Sequence, residues 1–188
     1  MVNNPLTPRC PIRYREPLDP GPSALAINPA PYTLAIDPPI HELTSARGLG
    51  AVDGDTLRVA SMGTTLTIRL LGMDAPELDD MDPDLARLAR LARWLLHGLT
   101  YGEDLAWQIA TPPFAPDPYD RTLAFVHRLP DGLDVGAELL RQGLARTTPQ
   151  WPCNRALAYT RLETRARILR RGLYAPRHTV YPSPPPSE

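Results

Sequence analysis

Lysine is missing from this chain, and all 20 of its basic residues are arginine. Every cationic contact it makes therefore uses a planar guanidinium, which matches phosphate and carboxylate oxygens in pairs where an ammonium cannot. Alanine, leucine and proline are plentiful, so the deficit reflects a GC-rich genome more than a function. Cysteine is almost missing too. Cys10 and Cys153 are too few for a disulfide framework, and their spacing suggests no zinc site. Net charge is also slight, at −1, so no bulk field announces a polyanionic partner. No apolar run approaches the roughly 20 residues that span a bilayer, and no membrane partner is expected. The N-terminus lacks a charged start followed by an apolar core, so no secretory signal is read and the cytoplasm is the default compartment.

What the chain does hold is unevenly distributed. From Arg47 to Asp120 there are twelve acidic residues against six arginines, and from Arg121 to Arg177 eleven arginines against four acidic residues. The second half can supply phosphate contacts that the net figure hides, although solvated helix faces account for most such arginines. With 188 residues, one domain with tails is expected, long enough for a real core and read as a monomer. Residues 1–40 are a proline-punctuated extension that cannot carry helix and can pair only at sheet edges. Residues 41–175 form the domain, and 176–188 a polar, proline-rich tail.

Within the domain, strands are predicted over 41–51, 56–61, 64–71, 104–110 and 122–128. Asp82 reads as the N-cap of a helix, with Pro83 at its first position and Asp84 favoured by the dipole, running to about Leu96. A second helix spans Asp134 to Gln142 and closes at Gly143. A third starts at Asn154 and ends before Gly172, with Leu162, Ala166 and Leu169 inward. Three strands, a helix, two strands and then helices fit an α+β, mainly β fold: a five-stranded Greek-key barrel of OB type with about three helices, preceded by the proline-rich extension. Barrels of this kind bind oligonucleotides on one face.

Two stretches carry chemistry. Val52-Asp53-Gly54-Asp55-Thr56 is a turn bearing two carboxylates, and Arg69-Leu70-Leu71-Gly72-Met73-Asp74-Ala75-Pro76-Glu77 is a strand end bearing two more. Thr65, Thr67 and Arg69 alternate with Leu66, Ile68 and Leu70, so Arg69 points away from the apolar side, toward where the carboxylates can reach. Pro76 biases Ala75 toward an extended backbone and so helps orient its carbonyl. Three acidic groups, an oriented carbonyl and an arginine suit a hard divalent cation beside a phosphate. Alone, Asp53-Gly54 is only a hairpin turn and Asp74-Ala75-Pro76 only a loop. Together, at this spacing, they argue for a site. Asp79, Asp80, Asp82 and Asp84 imitate a calcium loop but lack the glycine and terminal glutamate of an EF-hand, so capping and solvation explain them better. The four histidines show no partner pattern and read as structural or surface residues. Trp94 and Trp107 read as core, and Trp151 as either packing or a base-stacking residue.

These stretches, together with Tyr119-Asp120-Arg121 and Glu138-Leu139-Leu140-Arg141-Gln142-Gly143-Leu144-Ala145, resemble the staphylococcal nuclease (thermonuclease) family in order from about Gly50 to about Tyr174. The resemblance implies the OB-type barrel reached independently above. It also implies a calcium-dependent phosphodiesterase acting on single-stranded or loosened DNA and RNA and leaving 3′-phosphate ends. On it, Asp55 and Asp74 would be carboxylate ligands of Ca2+ and the Ala75 carbonyl a further ligand. Glu77 would accept a proton from the attacking water or orient it. Arg69 and Arg121 would grip the scissile phosphate, and Tyr119 would hydrogen-bond a phosphate of the bound strand. Departures lie around this core. The segment after Glu77 is shorter and acidic, Pro118 replaces a lysine, and Pro149 and Trp151 stand where the best-known member has tyrosines. A non-catalytic OB module binding nucleic acid or a protein partner is the competing reading. Degeneration removes ligands and arginines first, and here Asp55, Arg69, Asp74, Glu77 and Arg121 are all present, which favours the enzyme.

Overall fold

A computed structural model describes residues 43–109, 117–129, 131–148 and 153–176. The extension expected from the sequence lies outside the described residues, as do the tail after Pro176, Trp151 and residues 110–116 ahead of Tyr119. The strands form where apolar alternation is strongest. β1 (Thr44–Ala51), β2 (Thr56–Ser61) and β3 (Thr64–Leu70) make an antiparallel meander. Met62 and Gly63 turn β2 into β3, both at positive φ, as a two-residue hairpin loop requires. After the short β4 (Met73–Asp74) and helix α1 (Pro83–Thr100) come β5 (Asp104–Ile109) and β6 (Thr122–Arg128).

Pairing closes these strands into a barrel. The order β3-β2-β1-β5-β6 is joined end to end because β3 and β6 also pair, in parallel, with Ile68 opposite Thr122 and Arg69 opposite Leu123. The five long strands are the five predicted, with ends within a residue or two where they are described. Leu57, Val59, Ile68, Leu105, Phe125 and Val126 fill the core. Two-residue strands escaped the sequence reading: β4, β7 (Leu133–Asp134) and β8 (Arg146–Thr147), with β4 and β8 forming a small second sheet. Two residues cannot show a period, so only their partners reveal them.

The helices depart from expectation at their ends. In α1, Asp82 caps as predicted, its carboxylate accepting the Asp84 amide at 2.9 Å. The helix runs one turn past Leu96, because Leu96, Leu99 and Thr100 continue the inward stripe. Trp94 is not core but half exposed. It lies two residues from the buried Ala92, hence about 200° round the helix. Helix α2 (Val135–Arg141) is the predicted short helix, with Asp134 as its cap and Gly143 leaving it at φ 68°. Helix α3 (Ala156–Ile168) begins after Arg155 instead of Asn154 and stops short of Gly172. Arg170 takes φ 52°, swinging the chain away, so Leu169 is 47% exposed and not inward.

One buried polar network fastens these helices to the barrel. Asp134 accepts the Ala137 amide at 2.9 Å, the Tyr159 hydroxyl at 3.0 and 3.1 Å, and Arg155 Nη1 at 2.6 Å. Arg155 Nη2 lies 3.0 Å from His127 Nε2, and its guanidinium stacks over the Phe125 ring at 4.0 Å. All four polar members are at most 4% exposed. Ionised groups this far from water persist only when each is paired and hydrogen-bonded, and removing one partner leaves the others uncompensated.

Candidate active site

The first carboxylate is held by the turn that carries it. Asp53 accepts the Asp55 amide at 3.1 Å and so shapes the loop, and the Asp55 carbonyl takes the Leu70 amide at 2.8 Å. Gly54 is required at its position by crowding. A Cβ there would sit 2.6 Å from the Ala75 Cβ and 2.9 Å from that of Ala92 on α1. The turn is thus wedged between helix and strand end, and Asp55 is buried, 2% exposed. Its Oδ2 accepts the Ala75 amide at 2.8 Å, and its Oδ1 accepts the Thr56 hydroxyl at 3.2 Å and pairs with Arg69.

Arg69 joins the two halves of the motif. It lies opposite Thr56 across β2 and β3 on the wet face of the strand, as the alternation predicts. One terminal nitrogen of its guanidinium pairs with Asp55 and the other with Asp74. The two carboxylates therefore converge on a single cationic group. Asp74 is the solvent-facing partner, with its side chain 59% exposed.

Arg121 reaches the same site from β6. Because β3 and β6 run parallel with Ile68 beside Thr122, the residue before Thr122 falls level with Thr67, which shares its face of β3 with Arg69. Arg121 Nη1 donates to Thr56 Oγ1 at 3.4 Å, and Thr56 in turn donates to Asp55. Its other donors are held by Asp117. That carboxylate accepts Arg121 Nε at 2.7 Å, Nη2 at 2.6 Å and the Arg121 amide at 3.0 Å, and also the Tyr119 amide at 2.9 Å. Partial burial would raise the Asp117 carboxyl, but the hydrogen bonds from Arg121 and Tyr119 hold it below its usual range. The Tyr119 ring stands 78% exposed, with the Arg121 guanidinium 5.1 Å above it.

The structure thus gathers Asp55, Arg69, Asp74 and Ala75 directly, and Arg121 with Tyr119 through Thr56. Glu77 is exposed, and its side chain makes no hydrogen bond or ion pair among the described residues. Asp117 escaped the sequence reading, and Thr56 entered it only as the end of the turn, without its bridging role. Asp117 had a signal in its i, i+4 spacing to Arg121 and the Asx-type turn it opens. The link from Thr56 to Arg121 had none, because the two lie 65 residues apart. Among the described residues no three His, Cys, Asp or Glu side chains cluster as a metal cage. A cation between Asp55 and Asp74 would be completed by carbonyl oxygen and water, which calcium tolerates better than most ions. A separate open groove of about 1130 Å³ lies at the other end of the β2–β3 hairpin, between Ser45, Met62, Thr65 and Asp104. It lies away from the carboxylates and arginines of the site.

Comparison with known protein families matches residues 67–176 to the staphylococcal nuclease homologue family. The chain belongs to that family. Two similar proteins, both called an uncharacterized endonuclease, come from Escherichia coli O157:H7 and Escherichia coli. Each is 29% identical over 139 residues, covering 72% of this chain and 80% of its own length. The matched family region opens inside β3, so the turn carrying Asp55 precedes it. In this staphylococcal nuclease homologue the Asp55 turn joins the site through the hairpin pairing of Thr56 with Arg69. No helix among the described residues is long and apolar enough to cross a membrane.

Proposed function

We propose that this chain is a calcium-dependent nuclease that hydrolyses phosphodiester bonds of single-stranded or loosened DNA, RNA or both. One observation carries the reading: two carboxylates from either side of the β2–β3 hairpin, Asp55 and Asp74, converge on the Arg69 guanidinium beside a second arginine, Arg121. Membership of the family and the name of the Escherichia coli relatives support it. The donor set suits the ion. Asp55, Asp74 and the Ala75 carbonyl offer only oxygen, and Arg69 already demonstrates that both carboxylates reach one positive group. Bound there, calcium would supply positive charge to the phosphoryl oxygens, which carry the negative charge as water attacks phosphorus.

The chain's own residues divide the remaining work. Arg121, preset by Asp117, donates paired hydrogen bonds to the scissile phosphate, and Arg69 joins it when its carboxylates are otherwise neutralised. Tyr119 offers its hydroxyl to a neighbouring phosphate. Glu77, with a free and exposed carboxylate, accepts the proton of the attacking water or orients that water. The new bond forms from water oxygen to phosphorus, the bond from phosphorus to the 5′ oxygen breaks, and that oxygen takes up a proton. The products are a 3′-phosphate and a 5′-hydroxyl.

The test is hydrolysis of single-stranded DNA and RNA with calcium and then with a chelator. Cleavage that needs calcium and leaves 3′-phosphate ends is expected. Binding of the same oligonucleotides without cleavage under either condition would instead mark a non-catalytic OB module.

A further inference from the structure

We infer that Arg146 forms a subsite for a second backbone phosphate, next to the scissile one and on the Asp74 side of the site. This rests on the nuclease reading above. In the small sheet, β4 and β8 run antiparallel with Asp74 directly opposite Arg146. Residues so paired project from the same face, with Cβ atoms about 4.5–5.5 Å apart. Arg146 therefore emerges beside the carboxylate that would hold the metal.

Its charge is held by no carboxylate, although it reaches the Tyr174 hydroxyl. Arg69 is engaged by Asp55 and Asp74, and Arg121 by Asp117. Arg146 is exposed and makes no ion pair among the described residues. The nearest acid on α3 is not available to it. Glu163 is taken up by the Thr147 amide at 3.1 Å, the Thr147 hydroxyl, the Tyr174 hydroxyl at 2.7 Å and Arg167 at 2.9 Å.

The backbone that carries Arg146 is also held firmly for so short a strand. Thr147 is clamped by Glu163 on one side, and the Thr148 amide donates to the Gly72 carbonyl at 3.2 Å. Alternation then sends Thr147 toward α3 and Arg146 the other way, with Asp74. Tyr119 and Arg121 stand on the opposite flank, at the start of β6. A strand laid across the site meets Arg121 and Tyr119 first, Arg69 at the centre and Arg146 last. An exposed guanidinium at that end recognises a phosphate diester by charge and hydrogen bonding, with no dependence on base.

The experiment compares the wild type with Arg146→Gln and Arg146→Lys on a short single-stranded DNA bearing one cleavable linkage. KM and kcat are measured across salt concentrations with calcium, and oligonucleotide binding is followed by fluorescence anisotropy with a chelator. Arg146→Gln should raise KM several-fold, with kcat falling far less, and flatten the salt dependence of log affinity by about 0.7, the loss of one single-strand phosphate contact. Arg146→Lys should restore most of the affinity. A neutral methylphosphonate at one neighbouring phosphate should weaken the wild type and leave Arg146→Gln unaffected, while at the other neighbour both should weaken alike. The inference is overturned if Arg146→Gln keeps the wild-type KM and salt slope, or if it loses kcat at constant KM. Equal sensitivity of both proteins to each methylphosphonate overturns it too. Should the wild type cut nothing, the nuclease reading fails by itself. Binding in chelator still decides the subsite, upheld if its slope depends on Arg146 and overturned if it does not.

Discussion

Asp55 and Asp74 carry the same charge toward the same point, yet the chain uses them differently. Asp55 is buried and ties down Arg69, the Thr56 hydroxyl and the Ala75 amide, whereas Asp74 is largely in water. Removing Asp74 leaves no buried group without a partner; removing Asp55 strands several. Asp74→Ala should therefore keep wild-type stability, while Asp55→Ala should lose about 1–3 kcal/mol in urea unfolding, the cost of unsatisfied buried groups. The wild type is expected to gain about 2.7 kcal/mol when calcium is at a hundredfold its dissociation constant, and both variants should lose that rise in unfolding temperature. A calcium shift that persists in both variants would place the metal elsewhere. Arg121 and Asp117 form a second contrast. Arg121→Ala should lower kcat on the order of a hundred- to a thousandfold, as loss of a preorganised donor does. Asp117→Ala should cost on the order of tenfold, since the guanidinium remains but its orientation is lost. Steady-state kinetics that ranked Asp117 equal to Arg121 would show that the carboxylate itself touches substrate.

At the scale of elements, the site exists because three pieces of backbone are forced together. The Asp55 turn has Ala75 on one side and Ala89 and Ala92 of α1 on the other. Gly54→Ala places a methyl group where two others already stand, so an overpacking loss of about 1–3 kcal/mol is expected, together with weakened calcium binding as Asp55 and Ala75 are pushed apart. Thermal unfolding with and without calcium measures both, and an unchanged calcium shift would mean that the turn tolerates displacement. The five long strands and the α1 cap were legible because alternation and the Asp82-Pro83-Asp84 start are local signals. The end of α3 and the outward Trp94 were not. One depends on where Arg170 leaves the helix, the other on which face of α1 meets the barrel.

On the scale of the whole molecule, the buried network makes stability depend on pH. Burial alone would raise the Asp134 carboxyl, but Arg155, His127, the Ala137 amide and Tyr159 together leave it below its usual range. His127 is also lowered, by burial first and by Arg155, against the pull of Asp134. Both groups bind protons more weakly folded than unfolded, so the unfolded chain gains protons first as pH falls. The stability that His127 contributes should decline as pH falls below its unfolded value of 6.5, and that from Asp134 below 3.8. Urea midpoints between about pH 8 and about pH 3 should thus fall in two stages, and His127→Gln should remove the upper one. A profile flat through the upper stage would mean that His127 is charged in the fold. Long-range charge should act on substrate as well. Asp79, Asp80, Asp82 and Asp84 lie about the start of α1, where Asp80 accepts the Asp82 amide and Asp82 caps the helix. Asp79→Asn with Asp80→Asn keeps the capping oxygens and should lower KM at low ionic strength while sparing kcat. A change in kcat with KM and its salt slope untouched would show that this segment is no electrostatic barrier.

By itself the sequence determined which residues carry charge toward a common region, and which segments become strand or helix. Those follow from composition and period over a handful of neighbours: Arg69 on a wet face, Asp55 in a glycine turn, Asp82 before a proline. Only the tertiary structure decided that Arg69 lies between two carboxylates, that Arg121 reaches Thr56 across 65 residues of chain, and that Arg146 sits opposite Asp74. The reason is strand pairing, of β2 with β3 in the hairpin and of strands far apart in the chain. Pairing β3 with β6 and β4 with β8 brings together residues whose separation along the chain leaves no local pattern to read.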